Sequence, residues 1–274
     1  MLRISHITDT HVTAPEYRLC GLHTPSLLRQ ALAEVDRAGD GFYDAVVITG
    51  DLTHKGEAGA YAEFRRCLAG VAAPVHLCIG NHDDRDAFRH AFADEARYGA
   101  GDFVQYAVED VKGHRLVFLD TNLAGTARGL LCAARLEWLD GTLAAAPATP
   151  TLVFLHHPPF TTHIPPLDAI GLDGIAGLAE VIGRHPQVLS LHAGHVHRTM
   201  YGRLGTTPVT TATSTCHQVA LDFESPELVI TYEPPSFQLI IAGDGQVLSH
   251  TVPFGGAQGP RLAYPALRDR YDPA

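Results

Sequence analysis

Residues 45–54 of the chain are AVVITGDLTH. Ala45–Ile48 is a short apolar run rich in β-branched residues, and such a run bounded by turn residues predicts a buried strand. Gly50 and Asp51 follow the end of this strand. In α/β sheets, functional groups gather beyond the carboxyl ends of the strands. This stretch therefore predicts an α/β fold in which one strand delivers the Asp51 carboxylate to a site.

Four other segments repeat this arrangement of a short strand followed by side chains that bind metals. They are Asp9-Thr10-His11 after Leu2–Ile7, Gly80-Asn81-His82-Asp83 after Val75–Ile79, His156-His157 after Leu152–Leu155, and Gly194-His195-Val196-His197 after Val188–Leu191. In D-x-H and H-x-H the alternate residues lie on one side of an extended segment, so both can face one site. A single such motif is commonly a turn, but five strand ends in this order predict a metal centre.

The kinds of side chain in these motifs restrict the metal. The chain has 17 histidines, and mixed imidazole, carboxylate and amide ligands suit Zn, Fe, Mn or Co, whereas an all-oxygen site would suit Mg or Ca. Two divalent cations a few ångströms apart repel each other and need a carboxylate between them. Asp51 is the natural bridge, and we expect two divalent metal ions as cofactors.

Helix-like segments separate the strands, which predicts a core sheet with helices outside it. The predicted helices are Ser26–Ala38, Ala58–Leu68, Ala133–Ala146 and Ile175–Ile182, and a further strand is predicted at Arg115–Leu119. Near the C-terminus, Phe237–Ala242 and Gln246–Thr251 flank Gly243-Asp244-Gly245, which predicts a β-hairpin. The segment Gly255–Ala274 is rich in Gly, Pro and Arg, and we expect a surface arm there.

Composition restricts the class of protein. The chain has 274 residues, of which 46% are hydrophobic, enough for one large domain or a domain with an accessory piece. The formal net charge of −10 argues against long nucleic acid as the main partner. No apolar run reaches the length of a bilayer and no signal peptide is visible, so we expect no membrane association and a cytoplasmic protein.

The five cysteines are scattered and have no C-x-x-C spacing, which favours buried free thiols and leaves one interchain disulfide open. They are Cys20, Cys67, Cys78, Cys132 and Cys216.

In its five motifs, the chain resembles the calcineurin-like metallophosphoesterase superfamily. The pattern of that superfamily is D-x-H, GD, GNH-D/E, H and G-H-x-H, in this order. The stretches ITGDLTHKGEAGAY, GNHDDR, LDTN, LHHPP and AGHVH are similar to its bacterial branch of class III cyclic-nucleotide phosphodiesterases and glycerophosphodiesterases. The similarity covers about residues 1–222. It implies a four-layer αββα sandwich as a catalytic domain over 1–222, followed by a hairpin extension over 223–274 that packs on the core or serves in oligomerisation.

The resemblance also implies how the ligands divide between the two ions. Asp9, His11 and His197 would bind the first ion and Asn81, His156 and His195 the second, with Asp51 shared. A hydroxide held by the metal pair is the expected nucleophile, acting on a small phosphodiester such as 3′,5′-cyclic AMP or a glycerophosphodiester. The branch further implies a homodimer or larger homo-oligomer.

Other residues receive narrower expectations. Asn81 and His82 are expected to contact the substrate phosphate and, with Asp51, to form the catalytic set; His82 would protonate the leaving alkoxide. Asp83 is expected to orient His82. His217 resembles a position that reaches the substrate in this branch, with an exposed histidine of no special role as the alternative. His157 and Asp120 are interpreted as structural.

Three rival functions remain open at this point. A phosphomonoesterase or nucleotidase would use the same chemistry. A binding scaffold would have lost its metal ligands, and all seven are present. A DNA-repair nuclease would carry further domains and a less acidic surface.

Overall fold

A computed structural model describes residues 1–99 and 101–255. Within these residues the strands are β1 (Leu2–Ile7), β2 (Ala45–Thr49), β3 (Val75–Cys78), β4 (Tyr106–Val111), β5 (His114–Phe118), β6 (Gly129–Leu130), β7 (Thr151–Phe154), β8 (Leu172–Asp173), β9 (Val188–Ala193), β10 (Met200–Leu204), β11 (Thr207–Thr211), β12 (Gln218–Val219), β13 (Ile230–Thr231), β14 (Ser236–Gly243) and β15 (Gln246–Pro253). The α-helices are α1 (Thr24–Arg37), α2 (Ala58–Leu68), α3 (Arg85–Ala91), α4 (Ala133–Ala144), α5 (Pro165–Ala169) and α6 (Ile175–Arg184).

Two large mixed sheets form the centre of the fold. The first has the order β15-β14-β1-β2-β3, in which β1, β2 and β3 are parallel. The second has the order β10-β11-β9-β7-β5-β4, with a parallel centre and antiparallel edges. Two short pairs, β12 with β13 and β6 with β8, lie outside these sheets.

The side chains of the second sheet show how the layers stack. Phe118 and Phe154 point to one side, where they join the core formed by the first sheet and α1–α3. Val117 and Val153, the alternate residues, point to the other side and pack with α4 and α6. Because side chains alternate across a strand, this pattern gives the layer order helix, sheet, sheet, helix. The predicted αββα sandwich is confirmed.

The predicted strands and helices are all present, with ends that shift by no more than two residues. The sequence patterns missed two short helices, α3 and α5, the strand β4, the β10–β11 hairpin, and the two-residue strands β6, β8, β12 and β13. The C-terminal hairpin is an integral part of the first sheet, since β14 pairs with β1 from Leu2↔Ala242 to His6↔Gln238. The hairpin therefore packs on the core. The division into 1–222 and 223–274 stays a prediction, and residues 256–274 of the expected surface arm lie outside the described residues.

No helix among the described residues combines the length and the apolar character needed to cross a bilayer. Cys67, Cys78 and Cys216 are buried free thiols, whereas Cys20 is exposed.

A polar layer lies between the two sheets. The His6 ring on β1 contacts the His192 ring on β9, with ring centroids 6.0 Å apart. The two nitrogens of His192 meet the hydroxyls of Ser190 and Thr210 at 2.8 and 2.9 Å. Both histidines are fully buried, and burial lowers the pKa of His6 to about 4 and that of His192 well below its ordinary value. The folded protein therefore holds both rings neutral.

The two buried histidines of this layer make the free energy of unfolding depend on pH. The unfolded chain takes up protons on these rings below pH 6.5, but the folded protein does so only near pH 4 or lower, so the free energy of unfolding falls as pH falls through that window. We expect His192→Gln to reduce this loss by about 1 kcal/mol between pH 6.5 and 5.5. Urea unfolding of the metal-free protein across this range measures the slope, with the exposed His250→Gln as control. Equal slopes in all three proteins would contradict the assignment.

Candidate metal centre

Five loops meet at the carboxyl ends of strands from both sheets. The loop after β1 carries Asp9 and His11, and the loop after β2 carries Asp51. The parallel register, Ile7↔Ile48 and Thr49↔Cys78, places the loop after β3 beside them. The loops after β7 and β9 reach the same edge from the second sheet, because the His195 N–H donates to Asp9 Oδ2 at 2.9 Å and His156 Nδ1 donates to the Thr49 carbonyl at 2.8 Å.

One group of donors surrounds the first candidate position. It consists of Asp9, His11, Asp51 and His197, whose ligand atoms all lie within 4.8 Å of one another. His197 Nε2 lies 3.3 Å from Asp9 Oδ1 and 3.1 Å from His11 Nε2. His11 Nε2 lies 3.6 Å from Asp51 Oδ2. All four side chains are buried.

A second group lies on the other side of Asp51. Asn81 Oδ1 is 3.1 Å from His156 Nε2 and 3.0 Å from His195 Nδ1. His156 Nε2 is 3.4 Å from Asp51 Oδ1. The two oxygens of Asp51 therefore face different groups, Oδ2 toward His11 and Oδ1 toward His156. The seven residues singled out from the sequence lie together in two groups that share one carboxylate.

Backbone carbonyls fix the orientation of three of these imidazoles. The carbonyl of Thr49 accepts from His156 Nδ1 at 2.8 Å, and that of Ile170 accepts from His195 Nε2 at 3.1 Å. The carbonyl of His217 accepts from His197 Nδ1 at 2.8 Å. A carbonyl can only accept, so the opposite nitrogen of each ring presents a lone pair toward the centre. This is the arrangement by which proteins orient metal-bound histidines.

Two features show that the centre fits cations. Asp9 Oδ1 is buried and has no hydrogen-bond partner among the described residues. His11 Nε2 and His197 Nε2 face each other at 3.1 Å, where two lone pairs would repel without a cation or proton between them. Burial alone would lower the pKa of His156, but the Asp51 and Asp9 carboxylates raise it to about 9. The carboxylates of the metal-free centre therefore stabilise positive charge beside them.

The backbone at these ligands is strained. Five of the seven have a positive φ, between 42° and 70°: Asp9, His11, Asp51, His195 and His197. Side chains other than glycine rarely adopt this region, and each instance costs on the order of 1–3 kcal/mol. At Gly194 the chain passes so close to Thr8 and Asp9 that a Cβ atom would collide with both side chains. The tertiary structure therefore stabilises a loop geometry that the local sequence disfavours.

His82 lies at the exposed side of the centre. Its Nδ1 donates to the His54 carbonyl at 2.8 Å, which leaves Nε2 4.0 Å from Asp51 Oδ2. The side chain is 37% exposed, whereas those of Asp9, Asp51, His11, His156 and His197 are at most 7% exposed. The His54 ring stacks on the His82 ring with centroids 5.0 Å apart and an interplanar angle of 20°. Sequence analysis missed His54, which carries no motif beyond its position after GDLT.

The expectation that Asp83 orients His82 is wrong. The Asp83 carboxylate accepts hydrogen bonds from the backbone N–H groups of Gly80, Leu52 and Thr53, and from the Tyr61 hydroxyl. Burial, followed by the nearby Asp51 charge, raises its pKa to about 6. Asp83 thus ties the loop after β2 to the loop after β3, while the His54 carbonyl orients His82.

Asn122 is a second residue that sequence analysis missed. Its side-chain amide donates to the carbonyls of Gly80 and Asp83, at 2.6 and 3.0 Å, and so holds both ends of the turn that carries Asn81 and His82. Asp120 accepts two hydrogen bonds from Arg85 and one from the Asn122 N–H. These contacts agree with the structural interpretation of Asp120.

His157 and His217 lie beside the centre in different ways. Both ring nitrogens of His157 are engaged, by the Thr121 hydroxyl at 2.8 Å and by the Ala127 carbonyl at 3.1 Å, so no lone pair is free for a metal. The His217 ring lies at the rim, with its centroid 4.8 Å from that of His197. Burial, then the His197 charge, lowers the pKa of His217 to about 4.

Comparison with known proteins agrees with this geometry. A family model described as calcineurin-like phosphoesterase matches residues 2–199. This chain belongs to that family. A probable cyclic nucleotide phosphodiesterase from Rhodopseudomonas palustris is 36% identical over 252 residues, covering 90% of this chain and 91% of that protein. A probable glycerophosphodiester phosphodiesterase from Arcobacter nitrofigilis is 34% identical over 224 residues, covering 81% and 82%.

Among solved structures, a dimetal phosphatase from Danio rerio superposes with a TM-score of 0.64 at 18% identity, covering 93% of this chain and 99% of that one. At this identity the likeness concerns the fold alone.

The Asn122 contacts generate a prediction for metal binding. Asn122→Ala removes both amide donors and frees the turn that carries Asn81, so we expect the affinity for Mn²⁺ to fall by about 10- to 100-fold. Calorimetric titration of the metal-free protein measures this affinity. Thr126→Ala, on the following loop, is the control. Unchanged Mn²⁺ affinity in Asn122→Ala would show that the turn keeps its geometry without the amide.

Proposed function

We propose that this protein is a dinuclear-metal phosphodiesterase that hydrolyses small phosphodiesters. The observation that carries the proposal is the shared carboxylate, with Asp51 Oδ2 facing His11 and Oδ1 facing His156. We assign Asp9, His11 and His197 to one metal ion and Asn81, His156 and His195 to the other, with Asp51 bridging. When bound, two divalent cations would neutralise the charge of the diester and make water acidic enough to serve as a nucleophile near neutral pH.

The residues around the centre have separable tasks in this proposal. Asp51 sets the position of both ions, and the carbonyls of Thr49, Ile170 and His217 keep the ligand imidazoles in place. The substrate approaches over Asn81 and His82, because this is the side on which the centre is exposed. His217 lies at the rim of the same opening and is proposed to contact the substrate.

His82 is proposed to contact the phosphate and protonate the leaving alkoxide. Its Nδ1–H is committed to the His54 carbonyl, so the proton to be donated must be on Nε2, and the ring acts as an imidazolium. His82 Nε2 lies 4.0 Å from Asp51 Oδ2, so it faces the centre. The stacked His54 ring restricts rotation of His82 away from the centre.

Cyclic nucleotides such as 3′,5′-cyclic AMP and glycerophosphodiesters are the proposed substrates. The support comes from the two relatives, a probable cyclic nucleotide phosphodiesterase and a probable glycerophosphodiester phosphodiesterase, each of which matches more than four-fifths of this chain. The net charge of −10 favours a small substrate over a long polyanion.

The mixed nitrogen and oxygen donors support Mn, Fe, Zn or Co as the metals. We further propose a cytoplasmic homo-oligomer. Large apolar side chains are exposed along residues 221–232, including Leu221, Phe223 and Tyr232, and such surface is commonly buried between subunits.

Metal analysis followed by a substrate panel tests the function. We expect the protein reconstituted with Mn²⁺ to hydrolyse bis(p-nitrophenyl) phosphate faster than p-nitrophenyl phosphate. Asp51→Asn should lose both bound metal and activity, because a neutral amide replaces the negatively charged carboxylate that the two ligand groups share. Faster turnover of the monoester would favour a phosphomonoesterase, and full activity of Asp51→Asn would exclude the shared-carboxylate centre.

The role of His82 has its own test. His82→Ala should retain metal but lose about 10²- to 10⁴-fold in kcat on an alkyl diester, whose leaving group needs a proton. The loss should be smaller on a p-nitrophenyl diester, whose leaving group is stable as an anion. The exposed His250→Ala is the control, and equal losses on both substrates would refute proton donation by His82.

A further inference from the structure

A cavity of about 300 Å³ lies next to the candidate metal centre, between residues 12–19 and residues 54–60. Val12, on its wall, directly follows His11. His54 forms another part of the wall, and its ring lies 5.0 Å from the His82 ring and 5.6 Å from the His11 ring, between centroids. A single imidazole ring therefore separates this cavity from the centre.

The wall of the cavity carries unpaired positive charge. Arg18 and Lys55 both line it, and neither forms an ion pair within residues 1–99 and 101–255. Among residues 1–99 and 101–255, the one hydrogen bond of the Arg18 side chain goes to the neighbouring Tyr17 carbonyl, at 3.4 Å. Glu57 is the single acidic residue on the wall, so the lining is cationic overall.

The charge of this wall is opposite in sign to the net charge of the chain. The protein has a formal net charge of −10, and its sequence contains two lysines, Lys55 and Lys112. Lys112 lies 3.7 Å from the carboxylate of Asp44, which directly precedes β2 and so lies at the opposite end of that strand from Asp51. Lys55 and Arg18 instead face open space beside His54.

We propose that this cavity binds one substituent of the diester and favours a substituent that carries a second anionic group, such as a further phosphate on a nucleoside. The inference rests on the proposed function and extends it, because the reacting phosphate is neutralised at the metal centre and needs neither Arg18 nor Lys55. Two cations that have no ion-pair partner in the described part of the chain are suited to another anion, since charge-assisted hydrogen bonds to phosphate are strong.

The size and shape of the cavity support a nucleoside between the two phosphates. Ligand sites for small molecules begin at volumes of about 300 Å³. The rings of Tyr17 and His54 on the wall provide flat surfaces on which a base can stack. Glycerol would fill only a small part of this space and would leave both cations unpaired.

The dinucleotide ApA and its 5′-phosphorylated form pApA make a matched pair of probes, because they differ only in the second anionic group. Equilibrium binding to the metal-free protein is measured first, by calorimetry, so that the result does not depend on catalysis. We expect pApA to bind about tenfold more tightly than ApA at low salt, and the difference to shrink as salt is added. In Arg18→Ala/Lys55→Ala the difference should disappear, and Arg18→Lys should restore part of it.

Lys112→Ala is the matched control, since it removes the other lysine of the chain far from the cavity and should leave the preference for pApA intact. Circular dichroism establishes that each variant is folded. Equal binding of ApA and pApA to the parent protein, or a preference that survives in the double variant, overturns the inference. Neither outcome affects the proposed function, which fails separately if the Mn²⁺-loaded protein hydrolyses no diester.

Discussion

The geometry of the centre depends on one carboxylate facing two sets of ligands. Asp51 Oδ2 lies 3.6 Å from His11 Nε2, and Asp51 Oδ1 lies 3.4 Å from His156 Nε2. Asp51 can take this position because it follows β2, in the middle of the parallel part of the first sheet, with a φ of 46°. The loops after β1 and β3 then lie on either side of it. Any displacement of Asp51 would separate the two ligand groups.

The protein holds this arrangement at a cost in stability. Five ligands have a positive φ, and several donors are buried without the water that would otherwise solvate them. Asp83 and Asn122 offset the cost, because the buried Asp83 carboxylate joins the loops after β2 and β3, and the Asn122 amide holds the turn at residues 80–83. Such concentration of strain and buried polarity at one edge of the sheets is typical of functional sites.

The opening of the centre has a different character from its interior. Inside, carbonyls fix the rings of His156, His195 and His197, and these rings are shielded from solvent, which suits tight positioning of cations. At the opening, His82, His54 and His217 are partly exposed, and the neighbouring wall holds Arg18 and Lys55 without ion-pair partners in the described part of the chain. In the proposed function, the buried ligands would act on the phosphate, and the charged opening would select its substituents.

Much of this protein was determined by local sequence. Apolar runs that end in Asp, His or Asn predicted the strands that carry the site and the seven clustered side chains, because strand periodicity and turn residues act over a few positions. The contacts of Asp83, His54 and Asn122 could not be predicted in this way. Each joins segments far apart in the chain, as Asn122 does with Gly80 and Asp83, and only the packing of the two sheets brings them within hydrogen-bond distance. The same packing placed the C-terminal hairpin beside β1 and Arg18 on the same cavity wall as His54 and Lys55.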